Sequence, residues 1–474
     1  MSRLRVARVC GKVAVLLALA AVASCGRPAP PAATSTTSTT AASEAVAPRT
    51  EMPATTTPSV APAPEFAPIA QLVNEAVAAR RLPGAVVQIG HSGRIVFRQA
   101  FGERKLAGEP GLDGSPAPAE PMTEDTIFDL ASLTKSIATT PAVLQMYEQG
   151  RIQLDDPVQA YLPGFNPDND PRRARVTLRM LMTHTSGIAG DLSLDGPWGL
   201  SSADKAEGLH RALGAWVVFE PGERFHYSDI NFILLGAIVE KLTGEPIDTY
   251  VQQNVFTPLG MRDTHYLPAT KACGPYRIRG TALAYDPSWP PDDCAADTWN
   301  TDLLARIAPT ALDEDTPGPN PDYGHQLRGT VHDPTARRMG GVTGSAGVFS
   351  TVHDIGLYAQ ALLDRRAGRP STFPLEQATV ELMTTPQQPG DGPDQRGLGW
   401  DIDSPHSAPR GAIFPVGSFG HTGFTGTSLW LDPGSDTYVV VLSNVIHQRG
   451  GPPIVTLSGK IATAAARALH LYGS

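Results

Sequence analysis

Apolar residues recur at helical spacing near both ends of the folded part of the chain, next to stretches with strand character. Residues 66–82, FAPIAQLVNEAVAARRL, place apolar side chains on one face of a helix. Residues 84–102, GAVVQIGHSGRIVFRQAFG, contain two β-rich runs around a glycine turn, which predicts a hairpin. A second hairpin is predicted for residues 426–444 and a closing helix for residues 454–472. We therefore expect a sheet built from both ends of the chain.

The middle of the chain is predicted to be mostly helical. Helical patterns are typical of residues 132–150, 177–187, 228–244 and 349–363, and the first three of these end at a glycine. Residues 268–328 are instead rich in Pro, Gly and Asp. A segment of this length and composition predicts a long, irregular insert.

The N-terminal part of the chain has the composition of an export signal followed by a tether. A basic start precedes the apolar run Val13–Ala23, which is too short to span a bilayer as a mature helix. The segment VASC, ending at Cys25, resembles a bacterial lipobox, in which the cysteine is lipidated; an ordinary signal cleaved nearby is the alternative. Residues 26–64, rich in Pro, Ala, Thr and Ser, predict a disordered tether. We expect a signal over residues 1–25 and a folded domain over residues 65–474, anchored by lipid to the bacterial cell membrane and facing the envelope.

The cysteines fit this export prediction. Cys10 would leave with the signal and Cys25 would carry lipid, so Cys273 and Cys294 remain. In an oxidising compartment we expect these two to form a disulfide, with a pair of free thiols as the alternative. A zinc site is not expected, because no CxxC pair or nearby histidine accompanies them.

Charge excludes one class of partner. The formal net charge is -9, and no stretch dense in Lys or Arg follows the first dozen residues. Nucleic-acid binding requires a basic patch, so we expect no nucleic-acid partner.

A serine and a lysine stand three residues apart in DLASLTKSIATT, at Ser132 and Lys135. On a helix these positions are neighbours, and a serine needs a base to become a good nucleophile. A lysine can act as that base only if burial or nearby positive charge lowers its pKa, and the apolar residues around Lys135 could desolvate the amine. Ser202 and Lys205 have the same spacing but lie among polar residues, so we interpret them as a solvated loop or helix start.

Two further motifs follow in order. Tyr227-Ser228-Asp229 precedes an apolar helix, and His421-Thr422-Gly423 begins the C-terminal hairpin. With Ser132 and Lys135 they make the chain resemble the superfamily of serine β-lactamases and penicillin-binding proteins. The resemblance is to the branch with class C β-lactamases, D-Ala-D-Ala carboxypeptidases, D-aminopeptidases and esterases with a β-lactamase fold. It extends from about Phe66 to the C-terminus through LMTHTSGI, PGERFHYSDINFILLGAIVEKLTG and GGVTGSAGVFSTVHD.

The resemblance implies an α+β fold of the β-lactamase/transpeptidase type. An antiparallel sheet flanked by the terminal helices would pack against an inserted helical lobe, with the active site between them. Ser132 would be the nucleophile at a helix N-terminus, and Lys135 and Tyr227 would share the proton transfers. The backbone N–H groups of Ser132 and Phe424 would form the oxyanion hole. Asp229, His421, Thr422 and Gly423 would bind substrate, and no cofactor or metal is expected.

Two positions depart from the family pattern. Asp229 stands where asparagine is common, and an ionised carboxylate can only accept hydrogen bonds. His421 stands where many relatives have lysine; it can donate a hydrogen bond, but its charge would depend on pH near neutrality. Both changes weaken the case for a penicillin-like substrate. We interpret His184 as a residue that orders a loop, and Ser345 as part of a glycine-rich turn.

The sequence therefore predicts an exported serine hydrolase acting through an acyl-enzyme on ester or amide substrates. An esterase-like activity leads, and a D-Ala-D-Ala carboxypeptidase, D-aminopeptidase or β-lactamase is the alternative. A lipoprotein that binds penicillin or cell wall without turnover is an alternative of another class. The expected partners are a small ester or amide, or a peptidoglycan-derived substrate, and the membrane through the N-terminal lipid.

Overall fold

The computed structural model describes residues 63–289, 294–390, 392–447 and 454–474. The predicted signal, Cys25 and nearly all of the tether lie outside these residues. Among the described helices, none combines the length and apolar character that crossing a bilayer requires.

An eight-stranded antiparallel sheet is assembled from both ends of the chain, as predicted. Its strands are β1 (Gly84–His91), β2 (Arg94–Lys105), β3 (Glu120–Pro121), β4 (Gln395–Gly397), β5 (Trp400–Asp403), β6 (Phe419–Gly423), β7 (Thr427–Asp432) and β8 (Thr437–Ser443). Their order in the sheet is β4-β5-β6-β7-β8-β1-β2-β3. The N-terminal and C-terminal hairpins join in the middle, where Val87 of β1 lies opposite Val441 of β8.

The helices supply both flanking layers and the inserted lobe. The longer ones are α1 (Ala67–Ala78), α2 (Thr140–Glu148), α3 (Lys205–Gly214), α4 (Asp229–Thr243), α5 (Val352–Arg366), α6 (Gln377–Met383) and α7 (Val455–Ala468). Shorter helical segments include Lys135–Thr139, Val158–Tyr161, Leu178–Met182, Ile247–Val251, Gln252–Phe256 and Pro334–Arg338. Gly244 ends α4 with a φ of 77°, a left-handed conformation that glycine adopts without a steric cost.

The strand alternation of β1 explains how the layers pack. Successive side chains of a strand point to opposite faces of the sheet. Val87 and Ile89 therefore join the core that includes the apolar faces of α1 and α7. Val86 points the other way, into the core shared with α5 and the helical lobe. The observed arrangement is the expected α+β fold, with terminal helices on one face and the inserted lobe on the other.

The insert is more regular than its composition predicts. Short two-residue and four-residue strands pair within it, at Ala272–Cys273, Tyr276–Arg279, Ala282–Tyr285, Trp299–Asn300, Ala311–Leu312 and Gln326–Leu327. The backbone N–H and C=O groups of these short strands are hydrogen-bonded to each other, whereas in an irregular loop they would be hydrogen-bonded to water. Cys273 and Cys294 form a disulfide, with their Cα atoms 5.8 Å apart.

Two buried ion pairs attach the insert to the helical segment Pro334–Arg338. Arg337 Nη2 lies 2.6 Å from Asp313 Oδ1, and Arg338 Nη2 lies 2.7 Å from Asp315 Oδ1. We call these four residues the Arg–Asp clamp. The Arg338 guanidinium is fully buried and also donates to the Leu194 carbonyl at 3.0 Å. The clamp therefore fixes one edge of the insert against the lobe.

We predict that Arg338→Met lowers the free energy of unfolding by about 3 kcal/mol, because the buried Asp315 carboxylate loses its hydrogen-bonded partner and keeps only Arg337, 3.8 Å away. Urea unfolding measures the change. The matched control is Arg175→Met, which breaks an exposed pair with Glu220 and should cost less than about 1 kcal/mol. Equal losses in the two variants would contradict the role of the clamp.

Candidate active site

Ser132 lies in a tight loop directly before the first helical turn of the lobe. Ala131 has a φ of 46°, a left-handed conformation that is uncommon for any residue with a side chain. The buried carboxyl of Asp129 stabilises it, since Oδ1 accepts the Ala131 N–H at 2.9 Å and Oδ2 accepts the His332 N–H at 2.7 Å. Burial raises the pKa of Asp129 to about 6. Sequence reasoning missed both Asp129 and the strained residue, because neither has a motif of its own.

Lys135 begins a π-helical turn, Lys135–Thr139, a geometry that often occurs at functional sites. Its side chain is fully buried, and its ammonium meets three oxygens from different segments. Nζ lies 2.9 Å from Ser132 Oγ, 2.9 Å from the Ser345 carbonyl oxygen and 2.6 Å from Asp229 Oδ1. The predicted contact between Ser132 and Lys135 is present.

The charge state of Lys135 differs from the prediction. Burial alone would lower the pKa of Lys135, but the Asp229 carboxylate and Tyr227 outweigh burial and raise it above its ordinary value. Lys135 is therefore an ammonium at neutral pH. The expectation of an easily discharged amine was wrong because it considered only the apolar neighbours in sequence and not the carboxylate that α4 brings to the site.

Tyr227 completes the contact between nucleophile and ammonium. Lys135 Nζ lies 5.3 Å from the centroid of the Tyr227 ring, and burial raises the pKa of the phenol against the opposing effect of Lys135. The ring stacks on His184 with centroids 4.3 Å apart and lies 5.3 Å from the ring of His406. The structure thus brings Ser132, Lys135 and Tyr227 together in one cleft.

His184 has the structural contact that the sequence suggested. It is fully buried with a φ of 56°, and its Nδ1 accepts the Ser228 N–H at 3.1 Å. Because Ser228 lies between Tyr227 and Asp229, this bond orients the segment that carries both side chains.

His421 is a neutral hydrogen-bond acceptor, which corrects the predicted donor. Its Nδ1 lies 2.8 Å from the Thr422 carbonyl oxygen, which can only accept, so Nδ1 donates and Nε2 keeps its lone pair. Nε2 is buried and has no hydrogen-bond partner among the described residues. Burial lowers the pKa of His421 to about 3, with the positive charges of Arg396 and Lys135 acting in the same direction against Asp401. The ring is therefore uncharged at neutral pH.

The turn after β6 lies against the loop that carries Ser132. Thr425 Oγ1 donates to the Asp129 carbonyl at 2.7 Å, and Thr427 Oγ1 donates to the Leu130 carbonyl at 3.0 Å. A Cβ on Gly423 would lie 2.3 Å from the Leu130 carbonyl oxygen, so only glycine fits there. This close approach is consistent with an oxyanion hole that includes the Phe424 N–H, which stays a prediction. The Phe424 ring itself is exposed and stacks on His332 with centroids 5.9 Å apart.

Two carboxyl groups that the sequence did not indicate lie near Asp229. Asp191 is close enough to Asp229 to feel its charge, and burial together with that charge raises the pKa of Asp191. Burial and the Asp229 charge also raise the pKa of Asp333. These residues come from two other segments, so no local spacing in the sequence reveals them.

The remaining serine and lysine candidates lie outside the chemistry. Ser345 contributes its carbonyl to Lys135, whereas its hydroxyl contacts Thr343 Oγ1 at 3.0 Å. Lys205, three residues after Ser202, pairs with Glu240 of α4.

The chain is similar to known proteins over most of its length. A family model described as beta-lactamase matches residues 69–452. The chain is 32% identical over 383 residues to an Escherichia coli K12 protein named "Putative D-alanyl-D-alanine carboxypeptidase", covering 78% of this chain and 80% of that protein. It is 30% identical over 386 residues to the N-acetylmuramyl-L-alanine amidase of Bacillus subtilis, covering 80% of each.

Solved structures support the fold. The simvastatin synthase LovD of Aspergillus terreus superposes with a TM-score of 0.62 at 22% identity, covering 87% of this chain and 100% of that one. The hydrolase EstCE1 superposes with a TM-score of 0.57 at 23% identity, covering 84% of this chain and 98% of that one. The fold and the family resemblance expected from the sequence are confirmed. The chain belongs to the β-lactamase family and is a serine hydrolase.

Proposed function

We propose that the chain is an exported hydrolase that forms an acyl-enzyme on Ser132 with ester or amide substrates, and that its main activity is esterase-like. The observation that carries the proposal is the contact of Ser132 Oγ with Lys135 Nζ at 2.9 Å, with the centroid of the Tyr227 ring 5.3 Å from the same Nζ. Nucleophile and proton-transfer groups within hydrogen-bond reach are what acyl transfer requires.

The charge state of Lys135 suggests a relay for the serine proton. An ammonium cannot accept a proton until it gives one away. Lys135 passes a proton to Asp229, 2.6 Å distant, as it takes the proton of Ser132, so the site ends with a neutral Asp229 and an intact ammonium. Ser132 Oγ then bonds to the substrate carbonyl carbon. When the tetrahedral intermediate collapses, a proton must return to the leaving group, and the Tyr227 hydroxyl or Lys135 lies where it can be given.

The neutral His421 supports an uncharged substrate. A lysine at this position would offer a permanent cation to a substrate carboxylate, whereas His421 presents a lone pair on Nε2. An acceptor favours a substrate that donates a hydrogen bond or carries no carboxylate there, which fits a simple ester or amide better than a penicillin.

Action on peptidoglycan-derived substrates is the second candidate function. It is favoured by the names of two relatives, a carboxypeptidase and an amidase, at 32% and 30% identity. The proposal includes an envelope location, which the disulfide between Cys273 and Cys294 supports, and lipid on Cys25, which rests on the sequence alone.

We predict that a fluorophosphonate labels the wild type on Ser132 and that Ser132→Ala abolishes labelling, because the probe captures an activated serine. The labelled protein should partition with membranes, and a Cys25→Ser variant should partition with the soluble fraction. Parallel assays with short p-nitrophenyl esters, D-Ala-D-Ala peptides and nitrocefin should rank the esters first.

Ser202→Ala is the matched control, because that serine has the same spacing to a lysine but lies outside the cleft. A folded wild-type protein that neither labels nor turns over any substrate in the panel would instead favour the non-hydrolytic binder. Faster hydrolysis of the peptides than of the esters would favour the peptidoglycan alternative.

We predict that Asp229→Asn lowers the pKa of Lys135 below that of a free lysine, because burial persists while the opposing carboxylate is gone. Without the relay, kcat/KM near neutral pH should fall by about 10²-fold and should rise with pH as the amine loses its proton. The pH profile of kcat/KM and 13C NMR of labelled lysine measure the two effects.

The control for this variant is Asp248→Asn. It removes a carboxylate that lies outside the cleft and is paired with Lys271, with Oδ2 2.9 Å from Nζ. It should leave the pH profile as in the wild type. An Asp229→Asn enzyme with the wild-type pH profile would show that Asp229 takes no part in the proton transfer.

We predict that the wild type loses stability on acidification more steeply than His421→Gln. The pKa of His421 in the folded state is about 3, whereas that of an ordinary histidine is 6.5. Between these values the unfolded state binds a proton that the folded state does not, so stability is lost as pH falls from 6.5 toward 3. Between pH 7.5 and 5 the wild type should lose about 2 kcal/mol more than the variant in urea unfolding. Parallel pH dependence in both proteins would mean that His421 is not held neutral.

A further inference from the structure

A cavity of about 750 Å³ lies beside Phe424, within the size range of sites that bind small molecules. Its walls include Leu194, Leu312, Phe424 and Ile446, together with the ring of His332. Leu312 belongs to the insert, so the insert supplies one wall of this cavity. No role has been given to it so far.

The cavity adjoins the loop that carries the nucleophile. Asp129 links the two, because its carboxyl accepts the His332 N–H at 2.7 Å and its carbonyl accepts from Thr425 at 2.7 Å. His332 lines the cavity and Thr425 directly follows Phe424. The wall that contains His332 and the wall that contains Phe424 are therefore both hydrogen-bonded to Asp129, three residues before Ser132.

The chemistry of the walls indicates what the cavity can hold. Part of its lining is aliphatic and aromatic, and the remainder is polar and includes Asp313, Glu314, Asp315, Thr316 and Arg337. Asp313 is paired with Arg337 at 2.6 Å, and His447 is paired with Glu109 at 2.8 Å. Because the Arg–Asp clamp holds the insert wall in place, the cavity is preformed. Apolar surface beside compensated charges favours an uncharged, apolar group.

The position of the proton donors decides which half of the substrate enters. A leaving group must reach Lys135 or Tyr227 to receive its proton. Neither of these residues, nor Ser132 itself, lines the cavity, which instead adjoins the Ser132 loop through the hydrogen bonds of Asp129. The group in the cavity is thus the one that stays on Ser132 after the leaving group departs.

We propose that this cavity is the acyl subsite and takes an uncharged, apolar acyl chain or ring. The assignment rests on the proposed esterase-like function, and it names the substrate class as esters and amides of apolar carboxylic acids. The insert is then the segment that sets acyl selectivity.

The test uses p-nitrophenyl esters from acetate to octanoate, which share one leaving group, with the full chain. In the wild type kcat/KM should rise by roughly two- to fourfold per added methylene, as expected for burial of apolar surface. Leu312→Asp places a charge in the wall and should lower the ratio of kcat/KM for octanoate to that for acetate at least tenfold. Leu194→Asp, which changes another residue of the lining, should lower the same ratio.

The control variant is Leu112→Asp, whose leucine is as exposed as Leu312, at 38% against 37%, but lies outside this cavity. It should leave the ratio unchanged. A second series of acetate esters with longer alcohols should show no effect of either wall variant.

The outcomes separate the two proposals. Acetate turnover with no preference for acyl length, or a preference that resides on the alcohol side, overturns the subsite assignment and leaves the esterase proposal standing. If the wild type turns over no ester at all, the proposed function fails and the subsite assignment fails with it.

Discussion

The site is organised around one buried ammonium. A charge removed from water costs several kcal/mol unless opposite charge and hydrogen bonds compensate it. Lys135 finds that compensation in Ser132 Oγ, the Ser345 carbonyl and the Asp229 carboxylate. These oxygens come from the loop after Asp129, from the glycine-rich turn before α5 and from the start of α4. Satisfying one cation therefore draws three separate segments into a single cleft, and the nucleophile is placed by the same contacts.

Asp129 has the same organising effect on the other side of Ser132. Its carboxyl is buried, and it connects the left-handed Ala131 to the segment that carries His332. Its carbonyl holds the turn that contains Phe424 through Thr425. A strained backbone conformation persists only where its surroundings determine it, and here the buried carboxyl and its partners do so. The nucleophile loop and the wall of the adjacent cavity are thus parts of one hydrogen-bonded unit.

The outline of the fold was predictable from the sequence because its signals are local. Alternation in residues 84–102 and 426–444, and helical spacing next to them, depend on neighbours within a few residues. The short strands of the insert were missed, because two to four residues are too few to show a period. The Ser132, Lys135 and Tyr227 contact followed from ordered motifs rather than from periodicity.

The charge states in the site could not be predicted in this way. The pKa of a buried group depends on which distant segments bring charge to it, and Asp229 reaches Lys135 from almost a hundred residues away in the chain. Sequence neighbours suggested a discharged amine at Lys135, whereas the tertiary partner has the opposite effect. For His421, the sequence left its charge open and burial decides it.

The charge states of His421 and Lys135 affect how the cleft can recognise a substrate. With His421 neutral and the Lys135 ammonium engaged by Asp229, neither of these two groups offers a free positive charge to a substrate carboxylate. Selectivity must then come from shape and apolar contact, because uncharged esters and amides offer little else to bind. Under the proposed assignment, the cavity beside Phe424 supplies that kind of recognition, and the insert contributes one of its walls through Leu312. Family membership identifies a serine hydrolase but not its substrate, and under the proposed assignment the walls of the cavity select the acyl group.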